Sequence, residues 1–185
     1  SVPVIADSAF SMINQLNDWY FSNKLVNTGK GRNYGVDVTF EKYLSQGYYY
    51  MATASVFNSQ YAGGDNIWRS TRYNRNFAFN FLIGKEWQLG KNKQNVLGLN
   101  VRASYQGGDH YSPINNALSI QKQLPVYDEK QAFSKQIAPA FATHFTASYK
   151  INKRKSAHEF SLKILNLTQY ADFLGFKYNY QTKKI

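Results

Sequence analysis

The strongest constraint on the fold is a series of long segments in which apolar and polar residues alternate. In residues 32–43, every second position is apolar (Tyr34, Val36, Val38 and Phe40), and the positions between them are polar or glycine. A repeat of two residues is typical of a β-strand with one apolar and one polar face. We therefore predict an all-β fold, an antiparallel meander of long strands. The further strands are predicted at residues 48–60, 76–88, 96–107, 141–151, 157–167 and 175–182.

The composition agrees with two-faced strands. Aromatic residues make up 17% of the chain, with 15 Tyr, 13 Phe and 3 Trp. The mean hydropathy is nevertheless only −0.51. Many aromatic residues in a chain that is polar on average suit strands with one apolar and one wet face, and they argue against a disordered chain or a helical bundle.

The predicted strands are long enough to cross a membrane. They run for about 10–12 residues, whereas strands of about 5–6 residues are usual in soluble sheets. At about 3.3 Å per residue, an 11-residue strand is about 36 Å long, and a tilt of about 40° gives it a height of about 28 Å. The hydrocarbon layer of a bilayer is about 30 Å thick. Strand length therefore favours a transmembrane β-barrel.

The connections between the strands alternate in length. Short links at 44–47, 89–95 and 152–156 alternate with long ones at 61–75 and 108–140, a pattern typical of outer-membrane barrels. Aromatic residues near the strand ends are expected to form a girdle at the membrane interface. These residues are Tyr43, Tyr48, Tyr49, Tyr50 and Trp87.

The strand count predicts an incomplete barrel. Residues 32–185 are expected to form about seven transmembrane strands, whereas single-chain bacterial barrels have even numbers. An open sheet would also leave two unpaired edges in lipid. We therefore expect a piece of a larger barrel, in which residues 1–31 form an extracellular loop or partial strand.

Several classes of protein and site have no support in the sequence. The chain has no cysteine, which excludes disulfides, thiolate zinc sites and cysteine nucleophiles. No apolar run reaches the length of a membrane helix, and the first residues do not form a signal peptide. The segment Gly29-Lys-Gly31 lacks the spacing of a phosphate-binding loop, and no histidine pair has metal-binding spacing. We expect no enzyme activity, no cofactor and no metal.

Several motifs resemble those of TonB-dependent receptors of the Bacteroidetes. The longest is Asn27-Thr-Gly-Lys-Gly-Arg-Asn-Tyr-Gly-Val-Asp-Val-Thr-Phe-Glu-Lys-Tyr43. Shorter ones are Gly47-Tyr-Tyr-Tyr50, Gly63-Gly-Asp-Asn-Ile-Trp-Arg69, Gly84-Lys-Glu-Trp87 and Val126-Tyr-Asp-Glu129. The resemblance extends over nearly the whole chain from about residue 25 and points to the C-terminal part of the barrel.

The resemblance implies a fold, a location and a set of partners. The family fold is a 22-stranded barrel in the bacterial outer membrane, closed by an N-terminal plug. The implied function is import of a nutrient ligand, a glycan, a peptide or a metal chelate. The implied partners are outer-membrane lipid and lipopolysaccharide, the ligand, a surface lipoprotein, and the TonB complex acting through a plug that this chain lacks. The closing strand with a terminal aromatic residue is also missing, so we expect a portion of the wall.

Two groups of residues are candidates for binding the ligand. The first is a cationic and aromatic cluster in a long loop, Trp68, Arg69 and Arg72, which is expected to face outward toward sugar rings or anions. The second lies on the polar side of the strands, where alternation directs it toward the lumen. It includes Asp37, Glu86, Arg102 and His144. For the carboxylates of this face, we expect ion pairing across the wall with Arg102, Lys150 and Lys163 rather than acid–base catalysis.

Two other functions remain open at this point. In one, the chain is a small self-contained barrel, an adhesin or anchor, with Trp19-Tyr20-Phe21 in an eighth strand. In the other, the net charge of +11 belongs to a soluble β-domain that binds nucleic acid. We rank this second alternative last and expect no nucleic-acid partner, because lysines in short turns commonly solvate a barrel near the lipid headgroups.

Overall fold

The computed structural model describes residues 1–15 and 23–171, together with Asn179 and Thr182. It is 58% strand and 8% helix, and its sheets are antiparallel. The strands in chain order are β1 (Val2–Val4), β2 (Val26–Ser45), β3 (Tyr48–Ala62), β4 (Trp68–Ser70), β5 (Phe77–Leu89), β6 (Asn95–Gln106), β7 (His110–Tyr111), β8 (Lys135–Gln136), β9 (Ala140–Asn152) and β10 (Ala157–Ile164). The helical segments are α1 (Asn116–Lys122) and two 3-10 turns, Met12–Asn14 and Glu129–Gln131.

The long strands form a single antiparallel sheet. Its order is β1-β2-β3-β5-β6-β9-β10, and β4 pairs with the end of β3. Strands β7 and β8 form a separate pair. In the part of the chain that the structure describes, the first and last strands of the sheet are not paired with each other, so no barrel closure is seen. The antiparallel pairing of the long strands confirms the prediction of an all-β antiparallel sheet.

Six of the predicted segments, from residue 32 to residue 167, are strands in the structure. The first begins earlier than predicted, at Val26, because β1 pairs with that extension. The alternation rule did not detect this extension, since Asn27-Thr-Gly29 is not an apolar–polar repeat. The predicted strand 175–182 and the segment 19–21 lie almost wholly or wholly outside the described residues.

The short connections lie together at one end of the sheet. The tightest is the two-residue turn Gln46-Gly47, in which φ is +53° and +79°. Positive φ at both central residues defines the type I′ turn, whose twist matches that of a β-hairpin and which glycine adopts without strain. The other two short connections, 90–94 and 153–156, lie at the same end. We call this end the turn end and the opposite one the loop end.

The long connections are folded rather than irregular. Residues 61–75, predicted to be a loop, contain β4, and residues 108–140 contain β7, α1 and β8. Helix α1 begins where the Asn115 side chain accepts a hydrogen bond from the Leu118 N–H, 3.1 Å. Within this helix, Ser119 is fully buried and its hydroxyl accepts a 2.8 Å hydrogen bond from the Val126 N–H. Such polar contacts produce no hydrophobic periodicity in the sequence.

The register places the alternating residues on two continuous faces. Cross-strand partners lie on the same side of a sheet, so the chain of partners Val36, Val56 and Phe77 extends one face across three strands. This apolar face consists of Tyr34, Val36, Val38, Phe40, Val56, Phe77, Phe79, Phe81, Ile83, Leu97, Leu99, Val101, Tyr105, Phe141, Phe145, Phe160, Leu162 and Ile164. The polar face consists of Asp37, Thr39, Glu41, Thr53, Ser55, Asn80, Glu86, Asn100, Arg102, Ser104, Gln106, His144, Thr146, Ser148, Lys150, Glu159 and Lys163.

The buried side chains are confined to the loop end. Three segments, 1–15, 63–76 and 107–139, pack there against the ends of the strands, and we call them the cap; the remainder of the long strands is the wall. The buried side chains of the described residues are Val4, Ala9, Ser11, Asn14, Tyr61, Ala62, Thr71, Asn74, Ser119, Ala132 and Ala140. No helix among the described residues is long and apolar enough to span a membrane.

Candidate functional site

The apolar face of the wall is uncovered. Val36 is 69% exposed and Val101 41% exposed, while Leu99 and Phe145 are half-buried by their neighbours in the sheet. In the described residues, no second layer packs over this face, and the apolar side chains that are buried belong to the cap and the adjoining strand ends. A continuous apolar surface that extends across all the long strands of a sheet is rare on a soluble monomer and marks a surface that contacts protein or lipid.

Aromatic and basic residues border the apolar face at the turn end. The Lys85 Nζ lies 4.2 Å from the centre of the Tyr48 ring and 5.0 Å from that of Trp87, and it donates a hydrogen bond to the Tyr48 hydroxyl. Amphipathic rings and lysines with long aliphatic stems are suited to the boundary between hydrocarbon and water.

One residue of the predicted girdle lies elsewhere. Tyr49 pairs with Gly84, and its side chain occupies the space that a Cβ on Gly84 would need, 2.2 Å from the Tyr49 ring. Because adjacent residues of a strand point to opposite sides, Tyr49 belongs to the polar face, opposite Tyr48 and Tyr50. The prediction that Tyr49 joins a girdle with Tyr48 and Tyr50 is therefore wrong.

A second aromatic group borders the apolar face at the loop end. The ring centres of Phe77 and Tyr105 are 5.2 Å apart, and those of Tyr105 and Phe141 are 6.3 Å apart. From Phe77 to Trp87 along β5 the distance is about 33 Å, or about 25 Å in height for a strand tilted by about 40°. The apolar band of outer-membrane barrels is about 25 Å tall, so the two aromatic borders have the matching separation.

The apolar face also has a shallow hollow of about 370 Å³. It forms where Ala52, Ala54 and Ala103 leave space between the rings of Phe79 and Phe141. Its lining is predominantly apolar, so the chemistry of an acyl chain fits it better than that of a polar substrate.

The polar face has small hydrogen-bonding side chains along its centre. The Asn80 amide donates to the Thr53 hydroxyl, 3.3 Å, and Ser104 is the partner of Asn80 on the next strand. The structure brings Arg102 and His144 together as direct cross-strand partners. The Asn166 N–H donates to the His144 Nδ1, 3.3 Å, which fixes this nitrogen as an acceptor.

The other two lumen candidates do not join this pair. Asp37 lies three strands away from Arg102, about 14 Å across the sheet at the usual strand spacing of about 4.8 Å. It also lies in the row of Gln106, four residues or about 13 Å along β6 from Arg102. Glu86 is on β5, the strand next to that of Arg102. The β5 partner of Arg102 is Leu82, and Glu86 lies four residues beyond Leu82, about 13 Å along the strand. The four residues therefore do not form one compact site.

The charges of the wall are not paired with each other. The two ion pairs among the described residues both lie in the cap or at its border, Arg69 with Asp65 and Arg75 with Asp109. Lys150 and Glu159 are cross-strand partners, but their charged atoms are more than 4.0 Å apart. The expected ion pairing across the wall is therefore not observed, and these side chains remain available to solvent or a ligand.

The predicted loop cluster is divided by the sheet. The Arg69 guanidinium makes two hydrogen bonds to the Asp65 carboxylate, 2.7 and 3.0 Å, and its side chain is only 9% exposed. These hydrogen bonds hold the pKa of Asp65 below its ordinary value. Arg69 thus faces inward in β4, whereas Trp68 points to the opposite side and is 41% exposed. Arg72 is half-buried, and its backbone N–H donates to the Asn14 side chain, 2.8 Å.

The centre of the cap is built around Tyr61. Its side chain is fully buried, its hydroxyl donates to the Ala9 carbonyl over 2.9 Å, and its ring meets the edge of Phe133 at 6.0 Å. Elsewhere in the cap, the backbone N–H of His110 donates to the Arg72 carbonyl, and the His110 Nδ1 lies 3.0 Å from the Phe133 carbonyl. Burial lowers the pKa of His110, while the hydrogen bond to Phe133 opposes this effect.

Sequence reasoning missed two basic residues beside Trp68. The Arg32 guanidinium stacks on the Trp68 ring, 4.3 Å from its centre, and Lys30 pairs with Ala62, whose other cross-strand partner is Trp68. Both residues continue the alternation that runs through Tyr34 and Val36. The alternation places Arg32, the first residue of the predicted strand, on the apolar side, and its continuation by two residues places Lys30 there as well.

The described residues offer no group of three or more metal-binding side chains. The arrangement is instead that of a two-faced wall with an apolar band, a polar side and a folded cap. Comparison with known proteins found no matching family model, no similar curated protein and no similar solved structure.

Proposed function

We propose that this chain is part of the wall of a bacterial outer-membrane β-barrel of the TonB-dependent receptor type, which imports a nutrient such as a glycan, a peptide or a metal chelate. The observation that carries the proposal is the uncovered apolar face between two aromatic borders. Exposure of this face to water would be costly, at about 25 cal/mol for each Å² of apolar surface. Acyl chains cover it without a second protein layer.

The unpaired edges of the sheet support a larger barrel. Apart from the residues that pair with β1, the outer edge of β2 has no partner strand among the described residues. The outer edge of β10 has none among them either. Open edges do not persist in lipid, so further strands of the same wall complete the barrel in this proposal. The family implies 22 strands, and the polar face then lines the lumen.

The lumen side supports transport rather than catalysis. Its polar side chains are spread over the sheet, with Arg102 and His144 as the one adjacent pair among the four predicted lumen candidates. Such a surface offers hydrogen bonds and charge to a passing ligand without the convergent groups of an active site. In this proposal, the cap forms part of the extracellular entrance.

The exposure of the two faces can be tested by spin labelling. Because this chain has no cysteine, Phe79→Cys and its neighbour Asn80→Cys can be labelled individually in the complete protein in lipid vesicles, once any cysteine outside these 185 residues has been replaced by serine. The label at 79 should be accessible to oxygen and protected from a water-soluble nickel chelate, and the label at 80 should show the reverse preference. Protection of residue 79 from both reagents, in a protein that remains dissolved without detergent, would contradict the membrane wall.

The import function needs a separate experiment in cells. Deletion of the gene should abolish uptake of at least one ligand in a panel of labelled glycans, peptides and metal chelates, and expression of the complete protein should restore it. If uptake of every ligand is unchanged but attachment of the cells to surfaces is lost, the adhesin alternative replaces the receptor.

A further inference from the structure

The loop-end border of the apolar face changes abruptly from apolar to basic. Along β2, Val36 and Tyr34 are followed on the same face by Arg32 and Lys30. Both cations are exposed, and no carboxylate of the described residues lies within 4.0 Å of their side-chain nitrogens. Two unneutralised cations directly above an apolar band form a surface for anions held at the membrane boundary.

The contacts of Arg32 hold its guanidinium in a fixed position. The Gln60 Oε1 accepts hydrogen bonds from the Arg32 Nε and Nη2, 2.8 and 2.5 Å, and the Trp68 ring supports the guanidinium from one side. Since a guanidinium has five N–H donors, three remain for a ligand. An immobilised guanidinium loses less entropy when it binds an anion, and its fork geometry suits phosphate oxygens.

The neighbouring groups are those that recognise a sugar. The Asn58 amide donates to the Tyr34 hydroxyl over 2.7 Å, and this pair lies one row of the ladder nearer to the apolar band than Arg32 and Gln60. Ser70 is the cross-strand partner of Gln60 on the side away from Arg32. The Trp68 ring is 41% exposed. Amide and hydroxyl groups together with an exposed indole ring match a hydroxyl-rich ring better than a simple phosphodiester headgroup.

We propose that Lys30, Arg32 and Trp68 form a binding site for the phosphorylated sugar headgroup of a lipopolysaccharide-type glycolipid in the outer leaflet. The site rests on the proposed function, because that function places the loop end at the outer surface. The phosphate pairs with the two cations, the sugar contacts Trp68 and Gln60, and the acyl chains extend along the apolar face toward Phe77. The site therefore fixes the depth of the wall in the membrane and belongs to the lipid side of the barrel rather than to the ligand pathway.

The site can be tested with bisphosphorylated lipid A in phosphatidylcholine vesicles. Binding of the complete protein is compared with that of Arg32→Gln and of the matched control Arg102→Gln, which removes the same charge from the polar face. Arg32→Gln should weaken binding about tenfold or more, as expected for loss of a charge-assisted hydrogen bond, and Arg102→Gln should leave it unchanged. Lys30→Gln should produce a smaller loss.

Two further lipids distinguish the sources of phosphate. Enzymatically dephosphorylated lipid A should bind about as weakly to the wild-type protein as intact lipid A binds to Arg32→Gln, and phosphatidylglycerol vesicles should bind more weakly than intact lipid A. Equal binding of phosphatidylglycerol and lipid A, or equal effects of Arg32→Gln and Arg102→Gln, would overturn the site. If the label at residue 79 is exposed to lipid in the same preparation, either of these results refutes the glycolipid site but does not contradict the proposed membrane wall.

Discussion

The wall and the cap belong to one chain but differ in where their side chains make contacts. In the cap and the strand ends against which it packs, Tyr61 and Val4 are fully buried, and side chains from distant segments bond to each other. In the wall, both faces remain accessible, and neighbouring strands are joined mainly by their backbone ladders. The cap thus obtains its stability from contacts within the chain, whereas the apolar face of the wall has no such contacts with a second layer among the described residues.

This difference indicates how the two regions should respond to substitution. In the cap, a deleted side chain leaves a cavity, and the cost is nearly independent of what lies outside the protein. In the wall, the cost of a substitution depends on the medium that its side chain meets and therefore on the face of the strand. The following experiments test whether the two regions are separable in this way.

The largest expected effect is in the cap. Tyr61→Ala should reduce the free energy of opening of the cap by roughly 3–5 kcal/mol, because it leaves a cavity where a buried aromatic ring packed. Tyr61→Phe should cost about 1 kcal/mol, since it removes only the hydrogen bond to Ala9. Hydrogen exchange of the amides in residues 63–76 measures both values.

The matched control for Tyr61 is Tyr34→Ala, because Tyr34 is 59% exposed on the apolar face. It should leave exchange in the cap unchanged. If Tyr34→Ala and Tyr61→Ala increase exchange in residues 63–76 equally, the cap and the wall are one cooperative unit and the comparison fails.

The next effect concerns the two faces of the wall. Val101, a partner of Ile83 about midway between the two aromatic borders, points to the apolar face, and its neighbour Asn100 points to the polar face. Val101→Lys should destabilise the complete protein in vesicles by roughly 2–4 kcal/mol, the cost of a lysine near the bilayer midplane, and Asn100→Lys should change little. Urea unfolding in lipid vesicles gives both values. Equal effects would mean that the two faces meet the same medium.

The wall was largely predictable from the sequence because its signal is local. Strand β5 shows a repeat of two at Phe77, Phe79, Phe81 and Ile83, and each of these residues lies on the predicted face. The same repeat assigns neighbours such as Asn80 to the other face. No long-range information is needed for such an assignment, since alternate side chains of any strand point to opposite sides.

The cap was not predictable in the same way because it depends on contacts between distant segments. The sequence pattern predicts Tyr61 at the start of a loop, and nothing near it in sequence indicates its contacts with Ala9 and Phe133. A loop at this position predicts that Arg69 faces outward with Trp68, but β4 is a strand and directs adjacent residues to opposite sides. A three-residue strand is too short to produce a recognisable repeat, so its geometry follows only from its pairing with β3.

The smallest expected effect is a pH dependence restricted to the cap. Burial lowers the pKa of His110 below its ordinary value of 6.5, so the folded cap binds a proton less readily than the unfolded chain. Stability that depends on neutral His110 is therefore fully present above about pH 6.5 and decreases as the pH falls below it. Asp65, whose ordinary pKa of 3.8 is lowered further, contributes in the same direction but only at much lower pH. Between pH 7.5 and 5.5, His110 is thus the group whose titration should loosen the cap.

Limited proteolysis of residues 107–139 at pH 7.5, 6.5 and 5.5 measures this loosening. Cleavage of the wild-type protein should accelerate toward pH 5.5, whereas His110→Asn, which retains a donor for the Phe133 carbonyl and does not titrate, should be cleaved at a rate that varies less with pH. The label at residue 79 in the wall should keep its oxygen accessibility throughout, because the wall does not depend on the cap for its apolar contacts. If acidification changes the label at 79 together with cleavage of the cap, protonation acts on the whole fold, and the wall depends on the cap after all.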